Sequence, residues 1–216
     1  ERVGSLPAGE GQIHNMDFLD SADVLAAGSV DLMVTSPPYM NNYHYVRNTR
    51  PQLFWLSLIS SPKELRQLEE VNFGKYWQTV RDRKPLELNF NHRELSGTLA
   101  RLRQTRKEEG PYGGPGWANY VTTYFNDCHR FCGVLKRVLA RGGVGVVVIG
   151  NSIIQGHEIK TDLVLADIVR QSGLALVGVQ QLRTKRVGAS ITTSTVRRGD
   201  RSKATLYESA IILRKK

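Results

Sequence analysis

Cysteine is nearly absent: only Cys128 and Cys132 occur in 216 residues. That scarcity excludes a disulfide-stapled fold and any four-cysteine zinc site. Their spacing puts both thiols on one face of a helix, where small buried thiols pack as apolar residues. Long apolar runs are missing too. No stretch approaches the roughly 18 uninterrupted apolar residues of a membrane span, so a transmembrane protein is excluded. The start, Glu1-Arg2-Val3-Gly4, carries neither an initiator methionine nor a signal-peptide core, so the chain reads as an excised domain or a processed product. His14, His44, His92, His129 and His157 lack ligand spacing among themselves, which argues against a metal site. Gly-x-Ser-x-Gly does not occur, so a serine nucleophile is not expected.

What is present suits one domain of ordinary size. Apolar residues make up 40% and charged residues 23%, enough for a core and too few charges for wholesale disorder. The charge is unbalanced: 30 basic against 20 acidic residues give +10. Between Gln181 and Lys216 ten Lys/Arg face only Asp200 and Glu208, so this stretch holds +8 of the total. Such a concentration is the electrostatic footprint of a polyanion, usually nucleic acid.

Residues 12–17 read as a short strand and Ser21–Ala27 as a short helix. Asp31–Thr35 is an apolar strand stopped by Ser36-Pro37-Pro38. From Tyr45 to about Arg106 the pattern is mostly helical, with Ser61 and Pro62 as a cap and first helical residue. Glu109–Gly116, rich in glycine and proline, reads as a mobile loop. Trp117–Leu139 has helical spacing closed by Arg141-Gly142-Gly143, and Val144–Ile149 is a fully apolar strand. Thr161–Gln171 is an amphipathic helix, followed by strands over 174–182 and 207–213. The alternation predicts an α/β sheet with helices on its faces. The last two strands, joined without a helix, permit an antiparallel pair at one side of an otherwise parallel sheet.

Ser36-Pro37-Pro38-Tyr39 lies beyond the carboxyl end of the Asp31–Thr35 strand, where open α/β sheets bind ligands. Two prolines fix φ at successive positions and remove two donors. What remains is a rigid turn of acceptors, the Ser36 hydroxyl and the Ser36 and Pro37 carbonyls, beside the flat face of Tyr39. Such a turn suits a planar group bearing an NH₂: the acceptors hold the amine hydrogens while its lone pair points at an electrophile.

At this point the sequence resembles the S-adenosylmethionine-dependent amino-methyltransferases of nucleic-acid bases, whose signature is Asp/Asn/Ser-Pro-Pro-Tyr. The serine version is similar to the cytosine-N4 enzymes; the Asp and Asn versions are commoner among adenine-N6 enzymes. The continuation, Met40-Asn41-Asn42-Tyr43-His44-Tyr45 with Arg47, Arg50 and Leu53-Phe54-Trp55, also resembles bacterial DNA methylases. The resemblance implies a Rossmann-like sheet, mostly parallel with the last strand antiparallel. It implies catalysis at Ser36, Pro37, Pro38 and Tyr39, and cofactor contacts from Asp17, Met16 and Ser36. A base pocket would draw on Asn41, Asn42, Tyr43, Tyr45 and Asn151. Backbone phosphates would meet Arg183, Lys185, Arg186, Arg197, Arg198, Arg201 and Lys203. The whole of 1–216 would be one partial catalytic domain, with 56–116 a helical insertion that helps grip DNA.

The family's glycine loop after the first strand, and the acidic residue of the second, have no counterpart. Gly143-Val144-Gly145 comes closest but opens a strand. The resemblance therefore implies a sheet that begins at its third strand, with the first two supplied from upstream or by a second chain. The cofactor would be S-adenosylmethionine and the partner DNA, with no membrane and no metal, in the cytoplasm of a bacterium or archaeon. Three other readings stay open: a methyltransferase of RNA or protein glutamine, a non-catalytic DNA-binding subunit, and a split enzyme.

Overall fold

The computed structural model describes residues 9, 11–40, 43–185 and 205–216. Asn41, Asn42, Arg186, Arg197, Arg198, Arg201 and Lys203 fall outside the described residues.

The longest element is α6 (Gly114–Val138), which is buried almost all round. Tyr120, Tyr124, Phe125, Cys128, Cys132 and Leu135 are each at most 2% exposed. A helix with apolar residues on every side belongs inside a core, and here every layer packs on it. On one side lies a four-stranded sheet: β1 (Val30–Thr35), β2 (Leu139–Gly150), β6 (Leu206–Arg214) and β5 (Ala175–Lys185), in that spatial order. β1 and β2 are parallel, and β6 runs antiparallel to both β2 and β5. The expected α/β fold is thus present, mostly parallel, with the antiparallel β6–β5 pair at one side of the sheet and β6 between β2 and β5. Helix α7 (Thr161–Gln171) spans the predicted residues and joins α6 on the face carrying Val147, Ile149, Ile211 and Leu213.

The opposite face is less covered. Leu32 and Val34 on β1 are 62% and 67% exposed. Among the described residues β1 is also a sheet edge. The strand expected over 12–17 does not form: this stretch is irregular, Ile13 is fully exposed, and no neighbouring strand takes its backbone bonds. Asp17 instead caps a 3₁₀ helix, Phe18–Asp23, accepting the Leu19 amide at 2.9 Å. The helix expected from Ser21 therefore starts three residues earlier.

The span from Tyr45 is helical in pieces: α1 (Tyr45–Asn48), α2 (Arg50–Trp55), α3 (Pro62–Val71), α4 (Trp77–Val80) and α5 (Arg93–Gln104). Ser61 accepts the Glu64 amide and donates its hydroxyl to the Glu64 carboxylate, which also takes the Ser60 amide, a variant of the capping box at the start of α3. α4 and α5 rest on α6 through Val80, Leu95, Leu99 and Leu102. Trp77 stacks on Trp117 at 4.7 Å, whereas Trp55 is 87% exposed.

The Gly/Pro-rich stretch is no mobile loop. Lys107–Tyr112 forms a 3₁₀ helix and Gly114 already opens α6. A Cβ on Gly114 would lie 1.7 Å from the Leu102 carbonyl oxygen, and one on Gly116 would lie 1.9 Å from that of Pro111. Glycine serves close approach of backbones here, not flexibility. Gly142-Gly143 likewise is not the helix stop. α6 ends at Val138, β2 starts at once, and the glycines bulge out where the pairing jumps from Val30↔Leu139 to Leu32↔Val144. A small hairpin, β3 (Ser152–Ile154) with β4 (His157–Ile159), follows β2. Gln155 and Gly156 turn it with φ of 51° and 83°, the two positive φ values a tight hairpin needs.

Candidate active site

Ser36-Pro37-Pro38-Tyr39 leaves the carboxyl end of β1, as read from sequence, and is fastened from two sides. Tyr124 on α6 donates its hydroxyl to the Pro38 carbonyl at 2.8 Å. Burial pushes that phenol well above its ordinary pKa, so it stays a neutral donor. Ser152 donates to the Met40 carbonyl from the start of the hairpin. The turn is therefore held by a helix and a hairpin that are far away in sequence.

Tyr39 is half-buried. Its ring lies along Gly150, where a Cβ would come within 3.2 Å of Cδ2 and Cε2. Its hydroxyl lies near enough to the Ser36 side chain and to Glu208 for both to act on its titration. Burial, followed by Glu208, raises the phenol pKa, while the Ser36 contact works against the rise. Glu208 on β6 is 4% exposed and pairs with Nε of Arg183 on β5.

Two cavities flank the turn. One, of about 230 Å³, is lined by Asp17, Phe18, Leu19, Thr35, Ser36, Pro37, Pro38, Phe73 and Phe131. The other has room for about one water, near 10 Å³, among Pro38, Tyr39, Tyr43, Tyr45, the 72–76 turn, Tyr120 and Tyr124. Pro38 and Phe73 line both and form the wall between them. Tyr43 and Tyr45 meet edge to face at 4.8 Å on the outer side of the second cavity. The 72–76 turn is anchored to α6, since Asp127 accepts the Gly74 amide at 2.8 Å.

Of the sequence-predicted residues, Ser36, Pro37, Pro38 and Asp17 meet around the larger cavity, and Pro38, Tyr39, Tyr43 and Tyr45 around the smaller. Met16, 39% exposed, precedes Asp17 and lines neither. Asn151 also lines neither. It is 7% exposed and committed inward: Nδ2 donates to Glu158 and to the Thr205 carbonyl, and Oδ1 accepts the Tyr207 amide. Arg183 holds Glu208, and Lys185 ends β5. Sequence reasoning missed Tyr124, Phe73 and Glu208. Of these only Tyr124 left a signal, as an aromatic in the helical spacing of α6.

Among the described residues no group of three or more His, Cys, Asp or Glu is placed to hold a metal ion, and no helix is long and apolar enough to cross a membrane.

No family model and no curated protein matches the chain. Among solved structures, a Thermus thermophilus protein designated, provisionally, a DNA modification methylase aligns in three crystal structures. Its complex with S-adenosyl-L-methionine shares 15% identity, with a TM-score of 0.43, over 92% of this chain and 53% of that one. A selenomethionine derivative gives 14% and 0.41 over 92% and 52%, and a third structure 12% and 0.41 over 93% and 52%. The chain thus spans about half the length of that protein.

Proposed function

We propose that this chain is the catalytic half of a methyltransferase that moves a methyl group from S-adenosylmethionine to the exocyclic amine of a base flipped out of DNA, cytosine N4 before adenine N6. The observation that carries this reading is the rigid Ser36–Tyr39 turn at the end of β1, with the cavity of about 230 Å³ on one side and the Tyr39 ring on the other. A donor on one side and an amine on the other would meet over the turn.

The larger cavity fits part of the donor. At about 230 Å³ it falls below the roughly 300 Å³ of the smallest usual ligand pockets. It suits the adenine end: the Asp17 carboxylate can accept from a purine amine, and Phe18, Phe131 and Pro37 supply apolar walls. When bound, S-adenosylmethionine supplies an electrophilic methyl on sulfonium. The rest of its site would come from a glycine loop in an upstream segment or a second chain, laid against the edge of β1. The isolated chain is expected to bind it weakly.

On the other side Tyr39 offers its plane to the flipped base. Tyr124 takes the Pro38 carbonyl and Ser152 that of Met40. The acceptors left for the amine are the Ser36 and Pro37 carbonyls and the Ser36 hydroxyl. They hold its two hydrogens so that its lone pair faces the methyl carbon, and one of those protons leaves toward solvent after transfer. Positioning and acceptors matched to the developing charge supply the catalysis. The base must leave the helix because its amine is otherwise paired. Phosphates would be held by Lys185, Arg186, Arg197, Arg198, Arg201 and Lys203 and by the 56–116 segment.

Single-turnover methylation by the complete enzyme tests this. Ser36→Ala should slow transfer by about one to three orders of magnitude. Tyr39→Ala should weaken base capture by about 1–3 kcal/mol, with Tyr39→Phe largely retained. Both variants reacting at the parent rate would end the reading. Nucleoside and peptide analysis of the product separates N4-methylcytosine from N6-methyladenine, RNA and glutamine products. No methyl transfer to any of them would favour a non-catalytic DNA-binding subunit.

A further inference from the structure

We propose that Gly150, Glu208 and Arg183 form a cross-strand clamp that fixes the plane of Tyr39, so that Glu208 and Arg183 are positioning residues and Arg183 is not a phosphate contact. The inference rests on the reading of Tyr39 as the plate for the substrate base. These residues form one row across the sheet: Gly150 pairs with Glu208 in the β2–β6 ladder, and Glu208 with Arg183 in the β6–β5 ladder. Directly opposed residues on neighbouring strands are the ones whose side chains meet. The missing side chain at Gly150 leaves the slot in which the Tyr39 ring lies. Beside that slot, on the same face of the ladder, stands a carboxylate 4% exposed, near enough to act on the Tyr39 phenol.

A buried carboxylate must be paired, and removing one partner leaves the other charge stranded. Arg183 supplies the pairing. Its Nε is bound to Glu208 while the side chain is 69% exposed, so the ion pair closes the outer side of the row. The arrangement restrains the phenol at its tip by Glu208 and at its edge by the Gly150 backbone.

The test uses 3-fluorotyrosine placed at position 39 and read by ¹⁹F NMR, which needs no activity. The parent should give one narrow resonance. Glu208→Ala and Gly150→Ala should broaden or split it and move it toward free fluorotyrosine, Arg183→Ala should do so in part, and Glu208→Gln should restore much of the parent line. A parent-like resonance in folded Glu208→Ala overturns the clamp. If that variant does not fold, a parent-like line in both Gly150→Ala and Arg183→Ala does so. A second arm measures DNA binding and transfer in the complete enzyme. Loss of the charged hydrogen bond should cost about tenfold in kcat/KM for Glu208→Ala, and Arg183→Ala should add little to it. Arg183→Ala should leave the salt slope of DNA binding unchanged; a slope reduced by about one would make Arg183 a phosphate contact and overturn its place in the clamp. If no substrate is methylated, the methyltransferase reading falls while the resonance still decides the clamp.

Discussion

Asp127 accepts the Gly74 amide with a side chain only 15% exposed, and Lys75 stands 4.0 Å away. Burial raises its pKa, with the Gly74 bond and Lys75 opposing the rise. The folded state therefore holds this proton more tightly than the unfolded chain does. Asp127 costs least stability at or below the ordinary carboxylate range, and the cost grows as pH rises through the raised value. Asp127→Asn keeps an oxygen for Gly74 and removes the charge. Thermal melts across roughly pH 4 to 8 should show its advantage over the parent growing with pH; a constant difference would refute the assignment. The same residue marks the limit of what sequence could offer. The Ser36–Tyr39 turn was legible because consecutive prolines stop the β1 strand within four residues. Tyr124 reaches Pro38 from 86 positions away, and Asp127 reaches Gly74 from 53 away. No local pattern announces such partners.

Helix α6 and the glycines before it give the clearest test at the level of elements. Leu102 presents a backbone carbonyl to Gly114 with no room for a methyl group, and Thr105 presents a second 2.5 Å from the same point. Neither atom belongs to a side chain that can turn aside. Gly114→Ala should therefore destabilise the fold by about 3 kcal/mol or more, some 6–12 °C in a chain of this size; an unshifted melting temperature would show that α5 and α6 can part. α7 was readable from its helical periodicity, because it buries one face, and the last two strands from their apolar, β-branched runs. The glycines were misread because glycine has two uses, open hinges and tight crossings, and only the neighbouring backbone distinguishes them. The β3–β4 hairpin escaped notice because three-residue strands are too short to show alternation.

Charge acts over the whole molecule. The +8 between Gln181 and Lys216 should make DNA affinity fall steeply with salt. Reversing Arg197, Arg198 and Arg201 together should weaken binding to all sequences alike and flatten that slope; an unaltered slope would leave them as solvating charge. The mostly parallel sheet with its last strand antiparallel followed from the resemblance, but the loss of a strand at 12–17 could not, since strands need neighbours. The interior position of β6 bears on how the protein is made. β2 and β5 touch only through β6, and both are synthesised before it. Until β6 leaves the ribosome they cannot form one sheet, and their facing edges keep unpaired backbone groups for a few seconds at about 5–20 residues per second. A nascent chain at that stage is a natural client for chaperones, and a stop codon before β6 would leave it there permanently.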